Sequence, residues 1–70
     1  MENEKDELLN ELTSVNSRYI ELSDKLIKYI DVLTEKQKIL LRLQIDILGS
    51  YSDVLQARIL EYEEEFKLTL

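Results

Sequence analysis

The chain has 70 residues, with 15 acidic and 9 basic side chains, a formal net charge of −6, one glycine, and no cysteine, histidine or proline. That composition excludes disulfides, the usual cysteine or histidine zinc sites and a glycine-rich phosphate loop. The scattered Lys and Arg argue against a nucleic-acid partner. A core of this size supplies only about 3–5 kcal/mol, so the chain must rely on tight helix packing, on association, or on both.

Residues 1–7 are polar, with Glu2, Glu4, Asp6 and Glu7 around Lys5, as suits the positive end of a helix dipole. A seven-residue repeat then begins. Leu8, Leu12, Val15, Tyr19, Leu22, Leu26, Tyr29, Leu33, Leu40, Leu43 and Ile47 follow at alternating steps of three and four, with Lys36 as the one lapse. This spacing predicts a long helix, from about residue 5 to 48, lying against other helices. Ile20, Ile27, Ile30, Leu41 and Leu48 fall beside the repeat and widen the apolar face to roughly 160°. The flanking positions supply none of the opposite-charge pairs of a two-stranded parallel coil. A bundle of three or more helices, formed by self-association or with a helical partner, would bury so wide a face.

Two places can interrupt the helix. Gly49-Ser50 coincides with a change of frame, after which Leu48, Tyr51, Leu55, Ile59, Tyr62 and Phe66 form a fresh stripe. Glycine ends helices readily, so a break is expected there, with a second helix from about 51 to 67. The alternative at this point is a stutter within one helix. The other place is Thr34, where Thr34-Glu35-Lys36-Gln37 has the form of a capping box just before Ile39-Leu40-Leu41. A turn there would give an antiparallel hairpin, although no glycine, asparagine or proline marks it. With the break at Gly49, Leu8 to Tyr29 would stay uncovered and the chain would not be a stable monomer. A hairpin at Thr34 is the one monomeric form whose arms could cover each other.

Leu41 to Ile47 also alternates apolar and polar, the period of a strand. No second alternating segment exists to pair with it, so the helical reading stands and the fold class is all-α.

The residues offer little chemistry. Glu61, Glu63, Glu64 and Glu65 are a dense carboxylate run, but on a helix they fan out around the axis. Glu7 and Glu11 have the spacing of paired metal ligands, without the Glu-x-x-His motif of di-iron bundles. Tyr19, Tyr29, Tyr51 and Tyr62 lie on the apolar stripes, where tyrosine packs more often than it catalyses. Lys36 can mark a break, snorkel to solvent or specify register. Hence no catalytic, cofactor or metal residues are assigned, and the expected function is a non-enzymatic helical interaction module. Its expected face combines the residues of the repeat and its flanks with those of the later stripe. A carboxylate-based metal or substrate site is the alternative. Without a membrane-length apolar run or a leader pattern, a cytoplasmic setting is expected.

Leu43-Gln44-Ile45-Asp46-Ile47-Leu48 with Tyr51, Leu55 and Tyr62-Glu63 resembles a helical stretch of the large ER-side (Dsl/NRZ-type) subunits that tether retrograde vesicles. Val15-Asn16-Ser17-Arg18-Tyr19 and Leu22-Ser23 resemble residues upstream of that stretch. The resemblance covers less than two-thirds of the chain. It implies a piece of a rod-like tether, with no catalytic residues to carry over.

Overall fold

The computed structural model describes residues 2–69, and the burial of side chains for residues 4–62. Two helices, α1 (Glu2–Lys28) and α2 (Glu35–Thr69), pack against each other as a hairpin. The hairpin measures 55 × 15 × 13 Å, a rod of one helix length. Among the described residues there is no strand, and Leu41 to Ile47 is helical.

The chain reverses over residues 29–34, which corrects the expected break at Gly49-Ser50. Lys25 and Lys28 sit in the last turn of α1, where cations suit the negative end of the dipole. The amide of Tyr29 still donates to the Lys25 carbonyl, at 3.0 Å. The Tyr29 carbonyl then accepts from both Val32 and Leu33, each at 3.0 Å. No described residue, glycine included, has positive φ. The turn thus uses no left-handed residue and needs none of the residues that usually announce one.

Thr34 starts α2 as the capping box requires. The Thr34 amide donates to Gln37 Oε1 at 2.8 Å, and the Gln37 amide donates to Thr34 Oγ1 at 3.1 Å. Lys36, the lapse in the repeat, is an exposed residue in the first turn of α2. Gly49 lies inside α2 with negative φ. A glycine there costs about 1 kcal/mol relative to alanine, too little to break a helix held along its length by a neighbour.

Leu8, Val15 and Leu22 are buried on α1, with Leu12 and Leu26 half-buried beside them. They follow the repeat as expected. On α2 the line turned to α1 is Leu41, Ile45, Leu48, Ser52, Leu55, Ile59 and Tyr62, again at alternating steps of four and three, with Ile45, Ser52, Leu55 and Ile59 buried and the others half-buried. Leu8, Val15, Leu55 and Ile59 form the core, with Leu12, Leu48 and Tyr62 packed on it.

The repeat therefore changes phase at the turn. Leu40, Leu43 and Ile47, which continue the frame of α1, are 56%, 52% and 67% exposed. Continuity of spacing across residues 29–34 has no physical force, because the helix it describes ends and a new one begins at a different rotation. Two charged side chains of α1 find partners close by in sequence. Glu21 meets Arg18 at 3.1 Å, and Lys28 Nζ lies 5.4 Å from the centre of the Tyr29 ring.

Leu55 is fully buried, while Val32, in the turn, is 76% exposed. Leu55→Ala is predicted to cost about 2–5 kcal/mol of stability and Val32→Ala under about 0.5 kcal/mol, measured by urea unfolding. Equal losses would contradict the core assigned here.

Candidate functional site

Two features of the hairpin can make contact with something else: its uncovered apolar side chains and a polar notch midway along its length. The apolar residues come first because they carry the sequence-based expectation. Of the expected face, Leu8, Val15, Leu22, Leu55 and Ile59 are buried between α1 and α2. Leu12, Leu26, Leu33, Leu41, Leu48 and Tyr62 are half-buried. These residues hold the hairpin together.

The rest of that face is turned outward. Tyr19 and Tyr51 are 40% exposed, and Tyr29 and Ile30 little different. Ile20 and Ile27, on α1, are 59% and 72% exposed, so a hairpin does not cover the flank of the repeat. Leu40, Leu43 and Ile47 are uncovered on α2, as is Val54 at 54%. Phe66 lies outside the residues whose side chains are described.

On α2 the geometry of the two stripes is simple. Leu40 precedes Leu41 by one residue, a rotation of about 100° at 3.6 residues per turn. The Leu41–Tyr62 line faces α1, and the line through Leu40, Leu43, Ile47, Tyr51 and Val54 runs beside it round the helix. The apolar side chains of α2 thus lie on two adjacent stripes, of which α1 covers one.

The notch is lined by Asn16, Tyr19, Gly49, Ser52 and Asp53 and encloses about 300 Å³. Ser52 interrupts the leucine and isoleucine line of α2, and it is 7% exposed. Its hydroxyl donates to Asn16 Oδ1 at 2.8 Å and accepts from Gln56 Nε2 at 3.1 Å. A polar group placed in an apolar seam favours the register in which it is satisfied. The Asn16–Ser52 bond thus fixes which turn of α1 lies beside which turn of α2. Beside it, a Cβ built on Gly49 would lie 3.4 Å from Tyr19 Cε2, so the glycine leaves room for the tyrosine ring.

Ser52 and Ile45 are the residues that sequence reasoning missed. The signal was present: the four-three spacing of Leu41, Ile45, Leu48, Ser52, Leu55 and Ile59 is complete once a serine is admitted to an apolar seam. Continuing the α1 frame through the turn concealed it.

Glu7, Glu11 and Glu61 are exposed, and Glu63 to Glu65 lie outside the residues whose side chains are described. Among the described residues no three acidic side chains gather as a metal site would require. No described helix is long and apolar enough to cross a membrane.

The sequence model of one protein family, described as Sequestin, matches residues 2–61. The chain belongs to the Sequestin family. The match takes in α1, the turn and α2 as far as Glu61, so the family's signature spans the hairpin rather than one helix of it. No curated protein and no solved structure matches the chain. Nothing in these comparisons relates it to the vesicle-tethering subunits.

Gly49→Ala is predicted to stabilise the hairpin by about 0.5–1 kcal/mol, raising Tm by a few degrees, because Ala is the better helix former. The new methyl meets the Tyr19 ring at ordinary contact distance. A fall in Tm would mean that the methyl crowds the Tyr19 ring more than the helix gains. Ser52→Ala should cost about 0.5–1.5 kcal/mol in the same melts, the net worth of its hydrogen bonds.

Proposed function

We propose that the chain is a non-enzymatic binding and assembly module that acts through the apolar side chains the hairpin leaves uncovered. The observation that carries this reading is the exposure of Ile20 and Ile27 on α1 and of Leu40, Leu43, Ile47 and Val54 on α2. A 70-residue chain gains nothing in stability from isoleucine and leucine in water. Recurring apolar residues at helical spacing are what a helix presents to a further helix. The partner is a protein, either further copies of the chain or another helical chain, and the completed structure is a bundle of three or more helices.

The turn at residues 29–34 changes the argument for association. The arms cover Leu8, Leu12, Val15, Leu22 and Leu26 between them, so the hairpin can fold alone. Association then rests on the outward residues only.

At tens of micromolar, sedimentation equilibrium is predicted to give a mass above the 8.3 kDa of one chain. A monomer mass with full helicity would contradict assembly of copies. Calcium or manganese at millimolar concentration is predicted to leave Tm unchanged. A rise of several degrees would instead favour a carboxylate site using Glu7, Glu11 or the run from Glu61.

A further inference from the structure

The geometry points to a second copy of this chain as the occupant of the outward stripe of α2, docked antiparallel on a two-fold axis through Ile47. The inference rests on the assembly reading above and names the face, the partner and the symmetry.

Spacing is the first support. Leu43 and Tyr51 lie four residues to either side of Ile47, and Leu40 and Val54 lie seven to either side. A two-fold axis perpendicular to α2 at Ile47 therefore sets Leu43 of each copy beside Tyr51 of the other, and Leu40 beside Val54. Every apolar position then meets an apolar position. That is the defining property of an isologous contact, in which one patch is complementary to itself. A shift of four residues would set Leu40 against Arg58 and Val54 against Gln44 in one direction, and Leu40 against Ser50 and Val54 against Lys36 in the other.

Area is the second support. The five side chains are 40–67% exposed and together present on the order of 500 Å² per copy. Two copies would bury at most about 1,000 Å² through these residues, the size of a weak, reversible interface. The stripe also has ends. Lys36 bounds it on one side and Arg58 with Glu61 on the other, which gives the patch a charged rim. Antiparallel docking sets Lys36 of each copy opposite Arg58 of the other, a like-charge contact at the solvent-exposed ends of the patch, with Glu61 one turn further on.

The α1 residues do not have this form. Leu9, Ile20 and Ile27 are exposed, but they are spaced eleven and seven residues apart, and no residue among them is a centre of symmetry. They are left as the place for a different contact.

The chain has no cysteine, so single cysteines test the arrangement directly. Oxidised Ile47→Cys is expected to give a covalent dimer, because the axis brings residue 47 of the two copies together. Leu40→Cys and Val54→Cys should crosslink when mixed and not when oxidised separately. Self-crosslinking of Leu40→Cys would mean parallel docking and would overturn the antiparallel axis. Independently, Ile47→Lys should raise the dimer dissociation constant tenfold or more at unchanged helicity, whereas Ile27→Lys should leave it unchanged. Association abolished by Ile27→Lys and untouched by Ile47→Lys would keep the assembly reading and overturn this face. A monomeric wild-type chain would overturn both.

Discussion

Two reciprocal hydrogen bonds between Thr34 and Gln37 hold the first turn of α2, and the rest of the molecule depends on where they put it. They satisfy amides that a helix start otherwise leaves to water. Because α2 begins there, the chain folds back on itself rather than continuing as one rod. Each arm can then serve as the partner that an amphipathic helix of this length requires. Had the reversal come at Gly49, most of the first helix would have been left without a neighbour.

Within the hairpin, apolar burial and polar specificity divide the labour. Leu8, Val15, Leu55 and Ile59 supply the core, and such side chains would tolerate a slide of one turn between the helices. The Ser52–Asn16 bond at 2.8 Å would not, because a slide would take the Asn16 acceptor away from a buried hydroxyl that would keep only Gln56 of its own helix. The small side of α2 at Gly49 and the ring of Tyr19 lie beside that bond.

The all-α class was legible in the sequence from the spacing of Leu8 to Leu26, because that stretch is one helix with one buried face. The capping box at Thr34 was legible too. Its weight was harder to read, because the turn before it uses no residue with positive φ and so lacks the markers by which turns are recognised. Glycine misled for the converse reason: Gly49 makes room for a ring inside a helix instead of ending one. The faces of α2 were confounded because two apolar stripes lie side by side on it. Only the one beginning at Leu41 meets α1, and spacing alone cannot say which stripe a neighbour will choose. The spacing sets Ile20, Ile27 and Ile47 on one wide apolar face of a single helix, but which of those residues the chain itself covers depends on the turn, and it covers none of these three.

The most direct measurement of the central claim, reversal at residues 29–34, is the distance between spin labels on Glu7→Cys and Glu61→Cys. Both positions are exposed, and the labelled chain would be diluted with unlabelled chain so that only distances within one molecule are read. The hairpin sets the two backbones side by side, with helix axes about 8–10 Å apart, so a short distance, within about 25 Å once the label arms are included, is predicted. A helix continuous to residue 48 with its break at Gly49 would hold them more than about 40 Å apart at 1.5 Å per residue, and a distance in that range would contradict the account.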